Sequence, residues 1–178
     1  MSGPSAKTVE IVPIRSPADV AAAKDMVMEL FDVFFERYPE DIPMIRKYME
    51  DQDIAGQLDR FVETFGPPTG EALIARVDGA AVGIVMLTDK GDGVAGRQCE
   101  MNRMYVRSVA RGLGVGRKLG LAILQKAREM DFAEMRLDGA KRHVEAIPLY
   151  QSLGFGPDPA PSEHAASDPM MFSMRISL

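Results

Sequence analysis

From Thr8 to Arg15 apolar residues alternate with polar ones (Val9, Ile11, Ile14), and Pro13 falls near the end, as in an edge strand. The period then changes. Ser16-Pro17 reads as a helix N-cap followed by a first-turn proline. Val20, Met26, Leu30, Val33 and Phe34 then recur at helical spacing as far as Tyr38. Pro39 and Pro43 break this helix. A second helical region carries Ile45, Tyr48, Met49, Ile54, Leu58, Phe61 and Val62 and closes at Gly66-Pro67-Pro68. Ala72 to Val77 and Ala80 to Thr88 are strands joined by Asp78-Gly79, a strong hairpin signal. Gly83, inside the second of them, predicts a bulge or a close backbone approach. Asp89 to Arg97, with Gly91, Gly93 and Gly96, reads as a mobile connection before a third strand, Gln98 to Val106.

In the second half, Leu119, Ile123, Ala127 and Met130 define the buried stripe of a helix over Arg117–Met130, with Lys118, Gln125, Arg128 and Glu129 facing water. Glu134 to Asp138 is a short strand, parallel to the third because a helix separates them. A helix from about Val144 to Leu153 tolerates Pro148 because it starts just upstream, and Gly154 suits the residue after its C-cap. Phe155 to Pro169, with four prolines, reads as an irregular loop, and Met170 to Leu178 as a last strand. No linker is long enough to divide the chain, so residues 1–178 are expected to form one α/β domain, a mixed sheet with helices on both faces.

Composition narrows the function classes. At 178 residues, 46% hydrophobic and 26% charged, the chain has the make-up of a soluble globular protein. Its single cysteine, Cys99, excludes an intrachain disulfide, and His143 and His164 lack ligand spacing, so no metal is expected. A net charge of −5 argues against nucleic acid as a partner. Met1 to Lys7 has no apolar leader-like core and no window suggests a membrane span, so the expected location is cytoplasmic.

The chemistry centres on Arg111-Gly112-Leu113-Gly114-Val115-Gly116, between the third strand and the helix after it. Alternate glycines let the backbone approach a ligand closely, and the helix start offers N–H groups at its positive end. Together they form an anion site. Arg103, Arg107, Arg111, Arg117 and Lys118 fall in a stretch with no Asp or Glu, a basic island in an acidic chain. A P-loop is excluded because Leu119 follows Lys118, and the dinucleotide fingerprint because Arg117 and Leu119 stand where a glycine is needed.

What remains, Arg-x-x-Gly-x-Gly between strand and helix, resembles the acyl-CoA signature of the GCN5-related N-acetyltransferase (GNAT) family. Glu100 to Val106 resembles that family's central strand, and Glu145 to Phe155 its last helix and the turn after it. The resemblance implies a mostly antiparallel sheet of about six to seven strands. It implies transfer of an acetyl group from acetyl-CoA to a primary amine of a small molecule or peptide, by direct attack in a ternary complex. Gly112 to Arg117, with Arg111, would take the pyrophosphate, and the backbone of Met104, Tyr105 and Val106 would pair with the pantetheine arm. His143 stands where many relatives carry a cofactor-touching asparagine. Tyr150 corresponds to the residue that protonates the departing thiolate, with a packed core tyrosine as the competing reading. Glu100 matches a general base in some relatives, and equally the exposed side of a strand end. A homodimer is compatible with the family. A catalytically silent acyl-CoA-binding module, or an acyltransferase with another acyl group or acceptor, remains open. Between Glu36 and Glu63, eight acids against four bases suggest an acidic rim that draws a cationic amine or, equally, a solvated helix surface.

Overall fold

Asp78 and Gly79 both adopt positive φ, 50° and 84°, the backbone of a tight two-residue hairpin. They join β2 (Gly70–Val77) to β3 (Ala80–Gly93) in a computed structural model that describes residues 7–178. β1 (Val9–Pro13) lies antiparallel on the outer side of β2, as the edge pattern predicts. β4 (Gly96–Val106) pairs antiparallel with β3, and β5 (Glu134–Ala140) lies parallel to β4. β7 (Met171–Ser177) runs antiparallel to β5, and the two-residue β6 (Gly156–Pro157) closes that edge. The result is a seven-stranded mixed sheet in the order β1-β2-β3-β4-β5-β7-β6, with the single parallel pair at β4–β5.

Helices cover both faces. On one, α1 (Pro17–Arg37), capped by the Ser16 side chain, packs Met26, Val27 and Phe31 against Ile74, Ile84 and Met86. α2 (Ile42–Asp51), α3 (Ile54–Asp59) and α4 (Phe61–Phe65) add Ile54, Phe61 and Phe65 to this core. On the other face, α5 (Val115–Glu129) buries Leu119, Ile123, Leu124 and Ala127 against Leu73, Val85, Leu87, Cys99 and Met135. α6 (Ala146–Ser152) packs onto α5 where Gly120 leaves room: a Cβ there would lie 2.4 Å from Leu153 Cδ1.

Three expectations change. Asp89–Arg97 is not a mobile connection but the far end of the β3–β4 hairpin, paired as far as Gly93↔Gly96. Asp89 holds it by accepting from Arg97 (2.7 Å) and from the Gly91 N–H (2.7 Å), so Gly91 serves a bulge rather than a flexible loop. Pro43 opens α2 instead of breaking a helix, because a first-turn proline lacks only an N–H that has no partner there. The second helical region is therefore three short helices, with Asp53 at φ 48° and its carboxylate capping α3 through the Gly56 N–H. Finally, the proline-rich stretch after Phe155 contains α7 (Glu163–Ser167), capped by Ser162, as well as β6.

Gly83 shows both features expected of it. A register shift falls beside it, and its Cα faces Leu119, Val115 and the Tyr105 carbonyl so closely that a Cβ would lie 3.0–3.2 Å from each. Gly83→Val should therefore overpack the β3–α5 contact and push on β4. Urea denaturation is expected to show a loss of about 1–3 kcal/mol, with Gly83→Ala losing less.

Candidate active site

The parallel ladder between β4 and β5 has three rungs, Gln98↔Glu134, Cys99↔Met135 and Glu100↔Arg136, and then stops. Both strands continue, β4 held by β3 and β5 by β7, so they part in a V. A bulge in β4 lies just above the opening. Asn102 pairs with Met86 and Tyr105 with Ile84, so Arg103 and Met104 together face the single residue Val85. Arg103 takes φ 55° at this point, bending the strand. Beyond Glu100 the β5-facing edge of β4 has no ladder partner.

The V opens into a cleft of about 760 Å³. At one end lies the glycine loop. Gly112 and Gly114 have φ 79° and 72°, and nothing lies within 4 Å of where their Cβ atoms would be. α5 begins at Val115 without a side-chain cap, so the N–H groups of Val115, Gly116 and Arg117 lack intrahelical partners and open toward this space. An anion meets donors, helix dipole and steric room together. Arg111 and Arg117 line the same cleft, Arg117 donating to Ser152 through its carbonyl (3.0 Å) and hydroxyl (2.9 Å). The rest of the basic island divides. Arg107 is not available to an anion, being held by Glu29 at 2.6–3.2 Å and by the Ala81 carbonyl, and it keeps the Glu29 carboxyl below its usual range. Lys118 and Leu113 are exposed outside the cleft lining.

Met104, Tyr105 and Val106 line the cleft along β4, with Met104 and Val106 packed toward α5 and Tyr105 toward α1. Tyr150 enters from α6. Its helix ends in a Schellman turn: Gly154 (φ 101°) donates to Gln151 and Phe155 to the Tyr150 carbonyl. Phe155 also meets the Tyr150 ring edge-on at 6.0 Å, so the side chain has a fixed mount. Burial, with the Glu145 carboxylate second, pushes its phenol up to about 12. Glu100 sits at the last rung of the V, half-buried, 3.6 Å from Lys90 Nζ. His143 lines the cleft against α1, its ring centroid 4.6 Å from that of Phe34 in an edge-on arrangement, and its buried Nε2 has no hydrogen-bond partner. Desolvation first, and Arg37 second, lower its pKa, so it is neutral at pH 7.

The cleft also brings in residues that sequence reasoning passed over. Asn102 donates from Nδ2 to Thr88 Oγ1 (3.2 Å) and leaves a buried Oδ1 without partner. Phe31, Phe34, Tyr38, Met44, Ile45 and Tyr48 form an aromatic and apolar wall. The acidic rim does not form: of the eight acids between Glu36 and Glu63, Asp41 alone lines the cleft. Glu40 pairs with Arg142, Asp51 with Lys47 and Asp53 with Arg60, because exposed helix acids find nearby bases. Among the described residues no cluster of His, Cys, Asp or Glu could hold a metal, and no helix is long and apolar enough to cross a membrane.

The Tyr150 shift has a defined pH signature. A phenol whose folded pKa exceeds its unfolded value of about 10 favours the folded state below pH 10, and that advantage is lost as pH rises toward 12. The difference in tyrosinate absorbance between wild type and Tyr150→Phe should titrate well above pH 10; a midpoint at 10 would show the hydroxyl to be solvated.

Residues 25–155 match the Acetyltransferase (GNAT) family. An uncharacterized N-acetyltransferase of Schizosaccharomyces pombe is 30% identical over 148 residues, 83% of this chain and 82% of that one. The uncharacterized N-acetyltransferase YjgM of Escherichia coli is 33% identical over 101 residues, 55% of this chain and 58% of its own. Among solved structures, the PaiA N-acetyltransferase of Thermoplasma acidophilum in complex with coenzyme A superposes with a TM-score of 0.67 at 18% identity, covering 96% of this chain and 99% of that one. With the parted β4–β5 pair and the glycine loop at its mouth, this chain belongs to the GNAT acetyltransferase family.

Proposed function

We propose that the protein, acting as one domain over residues 1–178, transfers an acetyl group from acetyl-CoA to a primary amine by direct attack in a ternary complex. The observation that carries this is the meeting, in one cleft, of the free N–H groups at the start of α5 and the unpaired edge of β4 beyond Glu100. The first suits a pyrophosphate, held by Gly112–Arg117 with Arg111. The second suits an extended amide-bearing arm along Met104, Tyr105 and Val106, with the thioester in the V.

The amine must lose a proton to react. At a pKa of about 10.4 only roughly one in 2,500 such amines is neutral at pH 7. Glu100 takes that proton, directly or through water. The amine nitrogen bonds to the acyl carbon, the carbon–sulfur bond breaks, and the thiolate leaves. Tyr150 then supplies the proton to sulfur. A phenol raised to about 12 stays protonated through the neutral range, the form a donor requires. Such a phenol is a weak acid for a thiolate of pKa about 8.5 in water. Dry surroundings raise thiols as well, as Cys99 shows at about 12, which narrows the gap. His143 lies against Phe34 on the acceptor side, so its contribution to the cofactor is at most its one free nitrogen.

Release of free thiol from acetyl-CoA, dependent on an added amine, tests the reading; hydrolysis-level release with every amine class would leave only a binding module. Gly114→Asp puts a carboxylate where the pyrophosphate belongs; no atom lies in its way, and the left-handed backbone costs about 1 kcal/mol, which Asp bears better than most residues. Calorimetry should show CoA binding lost in a protein that still folds, with a slightly lower Tm, and unchanged binding would remove the loop from the site. Tyr150→Phe keeps the ring against Phe155 and deletes the hydroxyl. The expected result is a kcat about 10²-fold lower with CoA affinity nearly unchanged.

A further inference from the structure

Two arginines that line the cleft keep guanidiniums without a partner among the described residues, Arg111 at the glycine loop and Arg103 on the other side. Arg37 is paired with Glu145, Arg107 with Glu29 and Arg142 with Glu40. Arg117 is tied to Ser152. The Arg103 guanidinium makes no ion pair or hydrogen bond among the described residues; its neighbour is the Phe31 ring, 5.5 Å from the guanidinium carbon to the centroid. Phe31 belongs to α1, so this cation faces the acceptor wall and not the glycine loop. It also occupies the left-handed position of the β4 bulge, at φ 55°, where a long side chain is an uncommon choice.

The groups beside it have an order. Along β4 come Glu100, an acceptor; Asn102, whose buried Oδ1 lacks a donor; and Arg103, a fork of donors lacking an acceptor. Glu100 is the cross-strand partner of Thr88, and Asn102 donates to that same Thr88, so these side chains share the α1-facing side of the sheet. Opposite them stand Phe34, Tyr38, Met44, Ile45 and Tyr48. A polyamine is poorly matched: beside Glu100 its second ammonium would meet an apolar wall and an uncompensated guanidinium. Of the other carboxylates in the lining, Glu145 is engaged by Arg37, Asp138 by Ser162 and Ser173, and Asp168 by the Met170 N–H, with Asp41 apart. A molecule with an amine and a carboxylate on an apolar body matches every element.

We infer that the acceptor is an α-amino acid with a bulky apolar or aromatic side chain, its amine directed at Glu100 and Asn102 and its carboxylate held by Arg103. This rests on the acetyl-transfer reading above. The N–C bond to the acetyl carbon forms and the C–S bond of the thioester breaks. The ammonium gives one proton to Glu100 before attack and a second to water as the amide forms. The thiolate takes a proton from Tyr150, solvent restores both side chains, and the products are an N-acetylamino acid, CoA and one proton. Arg103 is a specificity residue in this scheme: its planar fork bonds both carboxylate oxygens, and the Phe31 ring keeps water from its face.

The test pairs each amino acid with its decarboxylated amine in the thiol-release assay: phenylalanine with phenethylamine, leucine with isoamylamine, and spermidine as a polycation. The amino acids should exceed their amines at least 10-fold in kcat/KM, with spermidine poorest. Arg103→Gln should erase that preference, lowering kcat/KM for phenylalanine by about 10- to 100-fold, through KM, while the KM of acetyl-CoA holds. Arg103→Lys, which keeps charge without the fork, should recover part of the loss. Phenethylamine matching phenylalanine, spermidine ranking first, or Arg103→Gln acting equally on both members of a pair would overturn the inference while leaving acetyl transfer intact. Turnover with no amine at all, in a protein that binds CoA, would remove the reading beneath it.

Discussion

Everything around the cleft depends on one break in hydrogen bonding. Had β4 stayed in register with β5 beyond Glu100, the sheet would be closed and flat there, its edge groups consumed by the ladder. The bulge at Arg103–Met104 adds a residue to one strand and not to its neighbour, increasing local twist and bending β4 away. The bend is stable because each strand has another partner: β3 holds β4 to its end, and β7 holds β5 through all seven of its residues. A gap in mid-sheet leaves backbone groups without ladder partners, and here those of β4 border the cleft.

Charge is arranged by the same logic of what is already satisfied. Arg107, the nearest basic neighbour of the β4 end, is consumed in fastening α1 to the sheet through Glu29 and Ala81. That contact is structural, joining α1 to the strand it faces. Arg111 and Arg117 remain by the open N–H groups of α5 and Arg103 against Phe31, so the positive potential left in the cleft is divided between these two places. An isolated count of basic residues in the sequence overstates that potential, because it cannot see which carboxylates distant helices bring back.

Much of this was legible because the chemistry is local. The N-cap at Ser16, the Asp78-Gly79 turn, the glycine loop and the Gly154 terminus each depend on residues within a few positions of one another. What failed was non-local or ambiguous. Gly91, Gly93 and Gly96 look the same in a loose loop as in a bulged hairpin, and Arg97 pairing with Asp89 decides between them. Pro43 either breaks or begins a helix, depending on where the first turn falls. The β4 bulge left a trace that was missed: Asn102 and Arg103 are consecutive polar residues between Met101 and Met104, one more than strand alternation allows. The aromatic wall of the cleft left no such trace, since Phe31, Phe34 and Tyr48 follow ordinary core periodicity.

The two hydrophobic cores lie on opposite faces of the sheet, and the cleft draws one side from each. Met104, Val106, Leu149 and Tyr150 pack with the α5 core, whereas Phe31, Phe34, Tyr48 and Tyr105 pack with the α1 core. Residues in separate cores, with the sheet between them, change stability nearly independently of each other. A substitution in the α1–α4 wall therefore leaves the packing of α5 and α6 around the glycine loop nearly undisturbed. The architecture lets one side of the cleft change without loosening the other.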